Sequence, residues 1–83
     1  MLAMSTQIDD YLHYCEFQKN LDAHTLKAYR IDLRQFDEFF QANGASLDKT
    51  CLCGYISSLH EKYKPKSVKR KIASLKAFVS YLL

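Results

Sequence analysis

Apolar side chains recur every three or four residues in four segments of the chain, a spacing typical of helices that bury one face. No segment alternates apolar and polar residues as a β-strand does, and the chain has no internal repeat or low-complexity segment. The sequence therefore predicts an all-α fold, a compact four-helix bundle with short loops. The predicted helices cover residues 5–19, 25–42, 50–63 and 68–82.

The second predicted helix has the most regular apolar face, and residues typical of helix ends flank it. Asp22 or His24 is expected to cap its start. Asn43 and Gly44 follow its end, and both residue types tolerate a left-handed backbone. Its apolar face consists of Leu26, Tyr29, Leu33, Phe36 and Phe40.

Cap and break residues also bound the other helices. Ser5 or Thr6 is expected to cap the first helix. Pro65 cannot continue the third helix, and Ser67 is expected to accept hydrogen bonds from the free amides of the fourth. Gly54 lies inside the third helix, where it costs about 1 kcal/mol relative to Ala unless it permits close helix packing.

The size of the chain favours a binding module over an enzyme. With 83 residues, 48% hydrophobic and 25% charged, the chain has the composition of one small globular domain. A domain of this size buries only about 60–65% of its unfolded surface, which leaves little room for a deep pocket. No Gly-rich phosphate loop and no cluster of catalytic residues is present, so we predict no catalytic residue.

Basic and acidic side chains are segregated along the chain. Residues 1–61 carry five basic and nine acidic side chains, a formal charge of −4. Residues 62–83 carry seven basic side chains and no acid, a formal charge of +7. Such a block attracts polyanions and releases their condensed counterions, so it predicts phosphate binding. The alternative is an ordinary solvated helix face.

Helical geometry sharpens this prediction for the fourth helix. At 100° per residue, small side chains and lysines share one face away from the apolar stripe. Such a face fits a DNA major groove, which admits an α-helix, although a second protein helix is the alternative partner. This face consists of Lys69, Ala73, Lys76, Ala77 and Ser80.

The second predicted helix also combines a polar start with a row of basic side chains. His24 and Thr25 lie at its start, where unpaired backbone amides favour a phosphate. The alternative role for its bases is pairing within the helix, such as Arg34 with Glu38 at i,i+4. The bases that stack beside its apolar face are Lys27, Arg30 and Arg34.

Metal, disulfide and membrane chemistry are not indicated. Cys15, Cys51 and Cys53 lack disulfide-framework or zinc spacing, and we expect reduced thiols of a cytoplasmic protein. The three histidines have no metal-site spacing, so we predict no metal and no cofactor. We expect no membrane partner, because the chain has no signal-peptide pattern and no apolar run near the roughly 18 residues of a membrane span.

Two runs of the sequence resemble one family. Residues 24–36, HTLKAYRIDLRQF, resemble its Thr-x-x-x-Tyr-x-x-Asp-Leu-x-x-Phe pattern. Residues 67–82, SVKRKIASLKAFVSYL, resemble its Ser-x-x-Arg-x-(apolar)-x-x-Leu-x-x-Phe helix. The family is the tyrosine recombinases, or phage integrases, and the matching part is their N-terminal core-binding domain. The resemblance covers about residues 5–83, and the order and separation of the two runs also fit.

This resemblance implies a fold, a function and partners. The fold is a SAM-like orthogonal bundle of four helices. It serves as one half of a clamp around the recombination-site duplex, with the second and fourth helices facing DNA. A separate catalytic domain supplies the tyrosine nucleophile, so none of the six tyrosines here is assigned that role. The implied partners are double-stranded DNA and other recombinase protomers in a tetramer, in a bacterial, phage or mobile-element protein.

The resemblance also implies which residues face DNA. Relatives often place Ser or Asn at the position of Asp22, whose negative charge opposes a phosphate contact there. The expected contacts are His24, Thr25, Lys27, Arg30, Lys66, Ser67, Lys69, Arg70 and Lys76. Of these, His24 and Lys66 flank the positions matched to the family pattern.

Two other functions remain open at this stage. The first is a helical protein-interaction domain that mediates oligomer assembly without DNA contact, through exposed Phe17, Phe39 or Tyr81. The second is a stand-alone regulator resembling an excisionase or a repressor, whose reading frame would end near Leu83.

Overall fold

Four α-helices joined by short loops make up the computed structural model, which describes residues 3–83. The all-α prediction is confirmed, and each predicted helix end lies within three residues of the observed one. The described residues form no β-strand. The helices are α1 (Met4–Phe17), α2 (Ala23–Ala42), α3 (Lys49–Lys62) and α4 (Pro65–Leu82).

The four apolar faces meet in one core. Tyr11 of α1 packs against Phe78 of α4 with ring centroids 5.4 Å apart. Phe36 of α2 packs edge-on against Tyr55 of α3 at 5.2 Å. α2 contacts each of the other helices, and α4 does the same. These contacts place α2 and α4 next to each other in the bundle.

Aspartates cap two of the helices. Asp22 Oδ1 accepts a 2.8 Å hydrogen bond from the Thr25 amide at the start of α2. Of the two predicted caps, Asp22 and His24, Asp22 is therefore the one that forms. Asp48 Oδ1 accepts an equivalent bond from the Cys51 amide at the start of α3. Each aspartate satisfies one of the amides that a helix leaves unpaired at its first turn.

The predicted caps of α1 and α4 are wrong. α1 begins at Met4, whose side chain is buried in the core, so Ser5 and Thr6 lie inside the first turn. α4 begins at Pro65, and Ser67 lies inside its first turn. Proline favours the first helical position, because its ring fixes φ and the amide it lacks has no partner there. The proline therefore starts α4, as well as ending the segment before it.

Glycines act at two places, one at the end of α2 and one within α3. Gly44 takes φ of +94°, while Asn43 stays outside the left-handed region and donates from Nδ2 to the Phe39 carbonyl at 2.8 Å. Gly54 lies under the Phe39 ring, where an added Cβ would meet Phe39 Cζ at 3.4 Å. Close packing of α2 on α3 thus accounts for the glycine within α3.

Candidate nucleic-acid interface

The exposed side of α4 carries three lysines. Lys66, Lys69 and Lys76 are solvent-exposed and take no part in the ion pairs of residues 3–83. The exposed residues Ala73 and Ser80 share this side, so small side chains lie between the charges. The predicted basic face of α4 is therefore present at the surface, except that Ala77 is half-buried.

The first turn of α4 leaves its amides without a side-chain cap. Lys64 occupies the N-cap position and makes no capping hydrogen bond. Pro65 has no amide hydrogen, and the first backbone bond of the helix runs from the Val68 amide to the Lys64 carbonyl. The amides of Lys66 and Ser67 therefore have no partner within the helix. A helix end in this condition favours an anion.

The start of α2 differs, because a carboxylate already occupies it. Asp22 accepts the Thr25 amide, and this hydrogen bond holds the pKa of the Asp22 carboxyl below its usual range. Asp22 is thus ionised at neutral pH and lies where a phosphate would approach. His24 beside it is exposed, whereas Thr25 is half-buried. The predicted free amides at the start of α2 are therefore partly used.

The bases of α2 lie in mixed surroundings. Lys27 and Arg30 are exposed, as the sequence predicts. Arg34 lines a shallow depression together with three carboxylates, but residues 3–83 form no ion pair between Arg34 and Glu38. Lys27 and Arg30, in the N-terminal half of α2, therefore lie away from these carboxylates. The three carboxylates beside Arg34 belong to Asp9, Asp37 and Glu38.

A buried polar cluster joins α2 to α4, and sequence reasoning missed it. The Asp32 side chain is 1% exposed, and its Oδ1 lies 3.0 Å from both Arg70 Nη2 and Lys71 Nζ. Ser74 Oγ lies 3.0 Å from Asp32 Oδ2. Lys71 Nζ also donates to Gln35 Oε1 at 2.6 Å. The two sequence motifs therefore meet through one carboxylate.

Lys71 corrects the picture of the basic block. The sequence places it in the +7 segment, but its side chain is only 4% exposed and its charge is balanced by Asp32. Its Nζ also lies 4.7 Å from the centre of the Tyr63 ring. A signal was present in the sequence, because Asp32 and Lys71 lie at helical spacing from apolar positions of their own helices. Lys71 is therefore not part of the exposed basic surface.

Arg70 lies at the seam between the two helices. Its side chain is 53% exposed, although one nitrogen is bonded to Asp32. A guanidinium carries five N–H donors, and the contact with Asp32 uses one of them. Of the predicted contact residues, those exposed at the surface are His24, Lys27, Arg30, Lys66, Lys69, Arg70 and Lys76, while Thr25 and Ser67 are half-buried.

Other kinds of site find little support in the described residues. Residues 3–83 contain no group of three or more Cys, His, Asp or Glu side chains placed to hold a metal ion. Cys15, Cys51 and Cys53 are free thiols, and the first two are buried. Across the same range, the four helices lack either the length or the apolar content that crossing a bilayer requires.

Comparison with known proteins identifies the family. The family model described as the phage integrase, N-terminal SAM-like domain matches residues 8–83. The chain is 52% identical over 80 residues to a tyrosine recombinase of Agathobacter rectalis, covering 95% of this chain and 26% of that protein. It is 35% identical over 86 residues to the tyrosine recombinase XerD of Listeria innocua, covering 96% and 29%.

A third relative extends the range of organisms. The tyrosine recombinase XerC of Thermodesulfovibrio yellowstonii is 36% identical over 76 residues, covering 90% of this chain and 25% of that protein. No solved structure matches the chain. The chain spans between a quarter and three-tenths of the length of these curated relatives. The chain belongs to the tyrosine recombinase family, as an N-terminal SAM-like domain of the phage-integrase type.

Proposed function

We propose that this domain binds duplex DNA through α2 and α4, as one half of a clamp on the recombination site. The observation that carries the proposal is the exposed side of α4, where Lys66, Lys69 and Lys76 have no internal partner and the first turn has no cap. Membership of the recombinase family supplies the polyanion that such a surface would meet. Strand cleavage would belong to a separate catalytic domain of the parent recombinase, in the bacterial or phage-infected cytoplasm.

The proposed contacts divide into two groups by their surroundings. On α4, Lys69 and Lys76 flank Ala73, so the helix backbone can approach the duplex while the charges reach phosphates on either side. On α2 the contribution is weaker, since Asp22 occupies the helix start. The full proposed set is His24, Thr25, Lys27, Arg30, Lys66, Ser67, Lys69, Arg70 and Lys76.

Charge reversal tests this surface. The variant Lys69→Glu/Lys76→Glu should bind a labelled duplex at least about tenfold more weakly than the wild type in fluorescence anisotropy at 0.1 M salt, since it removes two phosphate contacts. The control Lys19→Glu/Lys49→Glu changes the net charge equally at exposed positions outside α2 and α4. The proposal is wrong if both double variants weaken binding to the same extent.

A protein contact is the second proposed function, and exposed aromatic residues favour it. Phe17 is 65% exposed at the end of α1, and Tyr81 is 42% exposed near the end of α4. Tyr14 and Tyr81 have ring centroids 5.1 Å apart, so the patch continues across both helices. Phe39 does not belong to it, because it packs on Gly54 and Tyr55. Other recombinase protomers on DNA are the proposed partners.

Sedimentation velocity distinguishes this second function from DNA binding alone. Wild-type protein loaded on a duplex with two binding sites should form larger assemblies than Phe17→Ser/Tyr81→Ser, with equal affinity of both proteins for a single site. Equal assembly by the two proteins would exclude the aromatic patch as a protomer contact.

A further inference from the structure

Asp32 contacts two cations that differ in exposure. Lys71 is almost wholly buried and has three partners in the structure, namely Asp32, Gln35 and the face of the Tyr63 ring. Arg70 is half-exposed and meets Asp32 through a single nitrogen, Nη2, at 3.0 Å. The same carboxylate oxygen accepts from both cations.

The charges of this cluster do not cancel. One carboxylate and two cations leave a net charge of +1, and Lys71 is placed to balance Asp32 within the protein. The surplus charge therefore resides on the exposed guanidinium of Arg70. Since four of the five Arg70 N–H donors are not used by Asp32, the guanidinium retains the fork that binds phosphate oxygens.

We propose that Asp32 is a positioning residue, which holds the guanidinium of Arg70 at the seam between α2 and α4 ready for a DNA phosphate. This inference rests on the proposed DNA-binding function and deepens it, because it names what orients one of the contacts. A long flexible side chain loses rotamer freedom when it binds a ligand, and an arginine already held by Asp32 loses less. Ser74, which lies 3.0 Å from Asp32 Oδ2, fixes the carboxylate in turn.

Arg70 lies at a position where a phosphate could contact both helices. Arg70 belongs to α4 but bonds to Asp32 of α2, so its guanidinium lies where the two helices meet. A phosphate bound by this guanidinium would lie at the contact between the two helices, next to the exposed Lys69 of α4. Asp32 itself would not repel that phosphate strongly, because its carboxylate is 1% exposed and Lys71 is at 3.0 Å.

The decisive variant is Asp32→Ala/Lys71→Met. It removes one negative and one positive charge, so the net charge and long-range field of the domain stay unchanged, while Arg70 loses its anchor. Circular dichroism and urea unfolding should show a folded domain. Duplex affinity at 0.1 M salt should fall between about two- and tenfold, the range expected from immobilising one side chain.

A cycle with Arg70→Ala separates positioning from a general structural effect. In the wild-type background Arg70→Ala should weaken binding about tenfold, and in the Asp32→Ala/Lys71→Met background it should weaken binding less, by the factor that the double variant has already lost. Unchanged affinity of the double variant would overturn the inference while leaving DNA binding intact. Equal effects of Arg70→Ala in both backgrounds would also overturn it. No binding by the wild type would overturn the proposed function itself.

A second variant covers the case in which the double variant does not fold. Arg70→Lys keeps the positive charge at an exposed position but lacks the rigid fork that spans Asp32 and a phosphate. If Asp32 positions Arg70, the loss in log affinity of Arg70→Lys should be at least half of the loss measured for Arg70→Ala. Wild-type affinity for Arg70→Lys would show that charge alone matters and would overturn the positioning role.

Discussion

Asp32 brings a negative charge into the contact between α2 and α4, where water cannot reach it. Burying a carboxylate is costly unless charged partners and hydrogen bonds compensate. Lys71, Arg70 and Ser74 provide three such partners within 3.0 Å. In this pairing of the two helices both Asp32 and Lys71 are satisfied, although each is buried.

This dependence predicts the stability of single and paired variants. Asp32→Ala alone should lower the free energy of unfolding by roughly 3–5 kcal/mol, because Lys71 stays buried without a counter-charge. Asp32→Ala/Lys71→Met should recover most of that loss, since neither buried charge remains. Urea denaturation at pH 7 measures both. Additive losses in the double variant would contradict this account of the cluster.

The hydroxyl of Tyr55 presents the opposite case, a buried polar atom without compensation. It has no hydrogen-bond partner within residues 3–83. Burial, with smaller contributions from Asp32 and Tyr63, raises the pKa of Tyr55 to about 12, so the hydroxyl stays neutral at physiological pH. An unmade hydrogen bond in the interior is a destabilising feature.

Tyr55→Phe should therefore raise the free energy of unfolding by about 1 kcal/mol, because it removes an unpaired buried hydroxyl. The matched control is Tyr63→Phe, which removes a hydroxyl that accepts from Gln35 Nε2 at 3.2 Å and should be neutral or mildly destabilising. Urea midpoints of the two variants measure the difference. A loss of 1 kcal/mol or more in Tyr55→Phe would show that this hydroxyl has a partner.

At the scale of the helices, the apolar periodicity was sufficient to predict all four elements, but the helix starts depended on details outside it. Met4 extends α1 toward its N-terminus, because its side chain reaches the core. Pro65 starts α4, although a proline is compatible with both the end of one helix and the start of the next. Only the first of these properties entered the predicted start of α4, which is therefore three residues too late.

The corrected start of α4 gives a direct test by substitution. Ser67→Ala should change the free energy of unfolding by less than about 0.5 kcal/mol, because Ser67 lies within the first turn and is not the cap. Asp48→Ala should cost about 1 kcal/mol, because Asp48 Oδ1 accepts the Cys51 amide. Thermal or urea unfolding of both variants checks the contrast. A loss in Ser67→Ala as large as that in Asp48→Ala would restore Ser67 as a cap.

The site was less predictable than the fold for a physical reason. Exposed bases such as Lys69 and Lys76 follow from helical geometry alone, and the structure agrees with it. The pairing of Asp32 with Lys71 spans 39 residues of sequence, so no pattern local to either helix specifies it. Asp32 within an apolar stripe was the available signal, since an acid at such a position requires a buried partner.

For the molecule as a whole, the basic segment of the sequence remains basic at the surface, except that one of its lysines is buried. The segment of residues 62–83 has a formal charge of +7, and Lys71 is balanced internally by Asp32 of α2. Much of the remaining charge lies on the exposed side of α4 and its first turn. The domain is a slab of 33 × 33 × 18 Å. One of its surface helices, α4, is basic.

The salt dependence of duplex binding by the wild-type domain tests the central claim most directly. Fluorescence anisotropy with a labelled duplex from 50 to 300 mM salt should give a linear fall of log K with log salt concentration. Contacts from Lys66, Lys69 and Lys76 alone predict a slope of about −2.7, and further contacts would steepen it. A slope near zero, or no binding at about 50 mM salt, would contradict the proposal that this domain holds DNA.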